Sequence, residues 1–218
     1  FDPAKKMYWV WGYCLTTNAP MLVPETCAYY GLNYRDGVQN AFVYEISNGC
    51  SLGGNLQEAI LHGMFEVIER DAFLMAWYRK LRLKKINNGS IADKETQIML
   101  TKFEQVTNYA VYLFDMTLEN EVPSVWALAK NKGDNGMNIL CAAGAHFDPI
   151  KAIQNSLHEL AGILIALQEK FENRKTALYE MVHDSHLVKH MEDHSLLYGL
   201  KETEKRFDFL LDAHEREY

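Results

Sequence analysis

The 218-residue chain carries 22 Lys+Arg against 29 Asp+Glu, a formal net charge of −7, with 48% hydrophobic and 23% charged residues. That length suits one large domain or two small ones, and the composition excludes a disordered or coiled-coil chain. The acidic balance argues against non-specific binding to nucleic acid or to an anionic membrane, and it fits a site that gathers carboxylates round a cation. The apolar runs all fall short of the roughly 20 residues needed to cross a bilayer, and the first residues lack a signal-peptide layout. Cys14, Cys27, Cys50 and Cys141 are far apart with no CxxC. They read as packed thiols in a reducing compartment, with a cytoplasmic location expected. The start at Phe1 and the end at HEREY raise the expectation of one partial domain over 1–218, truncated at both ends.

In chain order, residues 7–16 read as a strand, 21–24 as a short second strand and 42–47 as a third. SNGCSLGGN at 47–55 is a small-residue loop. Asn55 with Glu58 forms a capping pair for a long helix from Leu56 to about Leu83. Its apolar residues go round most of the circumference, so it is expected to be buried. KKINNGS at 84–90 reads as a turn, and 92–106 as an amphipathic surface helix. Three strands follow at 109–114, 123–130 and 137–142, the last two joined by a hairpin turn at 131–136. Asp148 as N-cap and Pro149 at the first helical position open a second long helix, to about Asn173. The tail from 176 reads as helical, charged and His-rich. The expected fold class is α+β, with mixed β-sheets packed against long buried helices.

The first long helix carries Glu58, His62, Glu66, Glu69 and Arg70 at spacings of three and four, which places them on one stripe. Lone buried carboxylates are costly, and two on one stripe repel. A divalent ion resolves both problems, and Mg²⁺ suits a few carboxylates plus water and phosphate oxygens. The same spacing equally serves a plain Glu66–Arg70 pair facing solvent. Gly49, Gly53 and Gly54 before the helix could let amides approach a phosphate, or form only a tight turn. Glu159 lies in an apolar stretch of the second long helix and is a third candidate carboxylate, or an exposed one paired with Lys151. His186, His190 and His194, at i, i+4 and i+8, could share a helix face and a zinc ion, although a segment rich in His makes such spacings cheap. Cys50 with His62 or His146 could be a nucleophile pair, but nothing in the sequence brings them together.

Ser47-Asn48-Gly49-Cys50-Ser51-Leu52-Gly53-Gly54, the run Glu58-Ala59 to Glu66-Val-Ile-Glu69-Arg70-Asp71-Ala72-Phe73, and Gly144-Ala-His-Phe-Asp148-Pro149 to Glu159 together resemble the YcaO family over nearly the whole chain. The segments at 9–30 and 191–198 are similar to its thiazole- and oxazole-forming branch. The resemblance implies an ATP-dependent cyclodehydratase with ATP and Mg²⁺ as cofactors. It implies Glu66, Glu69 and Arg70 as catalytic and Glu66, Glu69 and Glu159 as metal-binding residues. Ser47, Asn48, Gly49 and His62 would contact the nucleotide together with those three carboxylates. The implied partners are a ribosomal precursor peptide, as in bacteriocin maturation, an E1-like or leader-binding protein and a second copy in a homodimer. The chain departs from the family pattern at His62 and Gly162, each where Gln is common, and at Asn155, where Arg is common. A GKG loop with a following SxxxExxER stretch and a Pro-rich tail are absent from these residues. A non-catalytic peptide- or partner-binding homologue, and thioamide or amidine formation, therefore stand as alternatives.

Overall fold

Alternating aromatic and small residues put Trp9–Cys14 (β1) in extended backbone, and it pairs antiparallel with Ala19–Pro24 (β2), Trp11 opposite Leu22. The computed structural model describes residues 4, 6–29, 31, 34–35, 38–39 and 46–212. The chain divides into two compact units, Phe1–Asn48 and Gly49–Tyr218. The first unit holds the β1–β2 hairpin and the two-residue strands Tyr34–Arg35 (β3) and Val38–Gln39 (β4). The hairpin presents Trp9, Trp11 and Tyr13 on one exposed face, as the side-chain alternation of a strand requires. Most of the strand expected at 42–47 lies outside the described residues, and Ile46 and Ser47 are not in a strand.

The second unit is built on a four-stranded antiparallel sheet. Its strands are Lys84–Ile86 (β5), Tyr109–Asp115 (β6), Ser124–Asn131 (β7) and Ile139–Ala145 (β8), in that spatial order. Its helices are Leu56–Arg79 (α1), Lys94–Thr107 (α2), Pro149–His183 (α3), Met191–Leu197 (α4) and Asp208–Leu211 (α5). One sheet face (Val111, Leu113, Ala127, Ala129, Leu140, Ala142) packs with residues of α2 and α3. The other (Phe114, Trp126, Leu128, Ala143) packs with Ala72 and Ala76 of α1 and with Phe207 and Leu210. The result is three layers, helices on both sides of a sheet whose strands are buried on both faces. The α+β class expected from the sequence is the architecture found.

The differences are local. Lys84–Ile86 is a strand and not a turn, because a three-residue edge strand led by two lysines carries almost no alternation to read. α3 continues ten residues past Asn173. Leu178 and Met181 extend its buried stripe, and no Gly or Pro occurs between Asn173 and His183. α1 is covered on one side only. Gly63, Phe65, Ala72 and Ala76 are buried, whereas Met64, Val67, Leu74, Met75 and Tyr78 are exposed. Apolar composition alone does not say which side of a helix this chain covers. Cys27 and Cys50 are exposed and Cys14 and Cys141 half-buried, so the packed-thiol expectation fails for the first two. Burial pushes the Cys141 thiol up to about 12.

Candidate active site

The loop before α1 folds back on the helix. Asn55 caps it, its side chain accepting the Glu58 amide at 2.9 Å. The Gly54 amide donates to Glu58 Oε2 at 2.6 Å, Ser51 Oγ donates to the Ala59 carbonyl at 2.5 Å, and His62 Nδ1 stands 2.8 Å from the Leu52 carbonyl. Gly49 has a left-handed φ of +76°, and a Cβ on Gly63 would stand 2.7 Å from its carbonyl oxygen. Two of the amides that a phosphate would use at this helix start are therefore occupied from within, and Glu58 adds negative charge beside them. The glycines serve a close loop-to-helix approach. Ser47 and Asn48 lie in the other unit.

One to three turns further along α1 stand Glu66, Glu69 and Arg70. Arg70 Nε donates to Glu66 Oε1 at 2.8 Å, with both side chains partly open to solvent. The ordinary i,i+4 pair is thus present, but it is not the whole arrangement. Glu69 and Glu66 both act electrostatically on, or are acted on by, Glu159 of α3, and Arg70 acts on Glu69 and Glu159. Carboxylates from two helices have come together.

β8 supplies the floor. Among the described residues it is the edge strand of the sheet, so alternate amides along it have no strand partner among them. The Ala143 amide donates to Glu159 Oε2, at a long 3.4 Å, and the Ala145 backbone, two residues on, is the weakest of the influences on Glu69. The sequence reading missed this backbone contribution; its only trace was the run Ala142-Ala-Gly-Ala145 of small residues.

Burial, with Glu159 and Glu66 close by, pushes Glu69 up to about 7 against the pull of Arg70 and the Ala145 amide. Glu159 is also raised, by desolvation first and by Glu66, against the Ala143 amide and Arg70. Glu159 nevertheless keeps an exposed residue surface. We place it at the mouth of the site, dense protein behind it and solvent in front, rather than in the buried position expected. Three carboxylates face one guanidinium, and the raised Glu69 shows that the surroundings call for more positive charge.

Among the described residues no three His, Cys, Asp or Glu side chains are disposed to hold one ion by themselves. Mg²⁺ does not require such a cage. It keeps several waters and is bound through one or two carboxylates plus substrate phosphates. An all-oxygen donor set short of cations, partly open on one side, fits that mode. It does not fit zinc, and the His-rich tail does not supply zinc either. His186 lies in a short 3₁₀ turn, His190 precedes α4 and His194 is within it, so the three do not share a helix face. Cys50 is exposed, and His146 Nδ1 accepts the Asp148 amide at 2.9 Å; nothing in the structure pairs them.

The family description YcaO cyclodehydratase, ATP- and Mg²⁺-binding, matches residues 1–217. The chain belongs to the YcaO family. ATP and Mg²⁺ are the cofactors of that family. An uncharacterized protein of Methanothermobacter thermautotrophicus is 28% identical over 161 residues, which are 73% of this chain and 42% of that protein. Among solved structures, the heterocyclase TruD is 28% identical with a TM-score of 0.62, over 77% of this chain and 24% of its own. A heterocyclase in complex with substrate and cofactor is 25% identical with a TM-score of 0.68, over 100% of this chain and 28% of its own. The chain thus spans less than half the length of these YcaO relatives. Among the described residues no helix is long and apolar enough to cross a membrane.

Proposed function

We propose that this YcaO chain provides the carboxylate wall of the MgATP site in a cytoplasmic peptide cyclodehydratase. In the reaction, a Cys, Ser or Thr side chain of a ribosomal precursor peptide attacks the preceding backbone carbonyl. The hemiorthoamide oxygen so formed takes the γ-phosphoryl group of ATP, and phosphate then leaves as the C=N bond of the thiazoline or oxazoline forms. Water is lost overall, and ATP becomes ADP and phosphate. The observation that carries the proposal is the meeting of Glu66 and Glu69 from α1 with Glu159 from α3 over the free edge of β8, short of positive charge.

Phosphoryl transfer asks chiefly for positioning and charge neutralisation. A divalent ion, when bound, supplies the Lewis acid that neutralises phosphate charge. Glu66, Glu69 and Glu159 would hold that ion. The Ala143 amide orients Glu159, and Arg70 sits beside the carboxylates with a guanidinium able to face phosphate oxygens. Gly49 and His62 are assigned to the nucleotide's surroundings. A leader-binding, E1-like protein would deliver the peptide, and the enzyme would work as a homodimer. In the intact protein, Glu66→Ala or Glu69→Ala should abolish Mg²⁺-dependent ATP consumption while circular dichroism stays unchanged. Near wild-type turnover by either variant would overturn the assignment.

A second reading, a YcaO homologue that binds a peptide or partner without nucleotide chemistry, draws on the loop before α1, whose amides are turned inward, and on Asn155 and His62. Calorimetry of MgATP with the intact protein separates the two, since the second predicts no heat. Thioamide formation is separated by product mass, because ring closure loses water whereas a thioamide exchanges oxygen for sulfur.

A further inference from the structure

A Cβ added to Gly144 would stand 2.2 Å from the Ala152 carbonyl oxygen and 2.7 Å from the Ser156 amide nitrogen, both backbone atoms of α3. Real Cβ atoms do not come so close, and helix backbone cannot turn aside as a flexible side chain can. Ala152 and Ser156 are fully buried at this contact. Glu159 follows Ser156 by one helical turn, and Gly144 directly follows Ala143, whose amide meets Glu159.

We infer that Gly144 is a positioning residue of the carboxylate site: with no side chain, it lets the α3 backbone lie directly on β8, and only that closeness brings Glu159 to the Ala143 amide and toward Glu66 and Glu69. The link from Ala143 to Glu159 is already long at 3.4 Å, so a shift of α3 of even a few tenths of an ångström breaks it. Ala145 is different. Its backbone acts on Glu69 of α1, on the other side of the sheet, and on no residue of α3. Gly144 therefore acts on the Ala143–Glu159 link and spares the surroundings of Ala145. This inference rests on the proposed MgATP role only for its consequence in binding.

The test is made on the intact protein in two arms. In the first, without nucleotide, amide hydrogen exchange is followed at Ala143 and Ala145. Gly144→Ala should speed exchange at Ala143 at least tenfold and leave Ala145 as in wild type, and Glu159→Ala should do the same. Unchanged protection at Ala143 in Gly144→Ala overturns the inference. If Gly144→Ala unprotects both amides by loosening the whole fold, Glu159→Asp decides instead. That variant is shorter by one methylene, and it should lose protection at Ala143 alone; full retention overturns the inference. In the second arm, MgATP affinity is measured in a double-mutant cycle. Gly144→Ala should weaken binding about tenfold, and should add nothing in the Glu159→Ala background. Independent, additive losses would show a general packing role and also overturn it. If no form binds MgATP while the exchange pattern holds, the proposed function falls and the positioning role stands.

Discussion

Glu69 shows how a single side chain records the demand of its surroundings. Burial and two neighbouring carboxylates raise it to about 7, while an unfolded glutamate titrates near 4.3. Between those values the folded state holds more protons than the unfolded one, so the stability of the ligand-free protein falls as pH rises. The penalty is complete above pH 7 and absent below about pH 4. Glu69→Gln removes it. Urea denaturation should therefore find Glu69→Gln more stable than wild type by about 2 kcal/mol at pH 8, after allowance for solvent screening, and equal to it at pH 4.5. A pH-independent difference would mean that Glu69 does not share its charge environment with Glu66 and Glu159. A shallower slope should persist in the variant, because Glu159 is shifted in the same direction.

At the scale of elements, two joints are set by single residues. Gly63 in α1 lies under the Gly49 carbonyl, 2.7 Å from where a Cβ would be. Alanine is the better helix former by about 1 kcal/mol, but overpacking costs about 1–3 kcal/mol. Gly63→Ala should therefore be destabilising by about 1 kcal/mol in urea, with faster proteolysis within 49–54; a net gain in stability would show that the loop yields freely. The second joint fastens α4 to α3. Burial alone would raise Asp193, yet the His190 and Lys189 amides and Arg174 hold it down to about 2. A depressed carboxylate stabilises above its unfolded pKa, and that share is lost as pH falls toward 2. Asp193→Asn should cost roughly 2–3 kcal/mol at pH 7, because it leaves Arg174 and one or both amides without their partner. Between pH 4 and pH 2 its stability should fall less than that of wild type.

For the molecule as a whole, the sequence pattern was readable where periodicity and punctuation agree. Asn55 and Asp148 marked both long helices at their first residues, NKGDNG marked the β7–β8 turn, and Glu66, Glu69 and Glu159 are carboxylates of two helices that influence one another electrostatically. What could not be read was relational. The Ala143 amide becomes a donor to Glu159 only because β8 is an edge, and Gly144 matters only because α3 lies on it; neither fact is written in local residue type. The outer side of α1 is the same kind of fact. Met64, Val67, Leu74, Met75 and Tyr78 lie on exposed turns of a helix whose residues, taken alone, say only that it is apolar. Five exposed apolar side chains grouped on one side of a helix around Asp71 exceed the scattered exposed apolar residues of ordinary surfaces. The 218-residue chain should therefore bind 8-anilinonaphthalene-1-sulfonate and scatter light increasingly with concentration. Leu74→Lys with Tyr78→Lys should cut both signals by half or more. Both positions face away from the sheet, so stability in urea should move by no more than about 0.5 kcal/mol. Dye binding that the pair of lysines does not alter would place the sticky surface elsewhere than on α1.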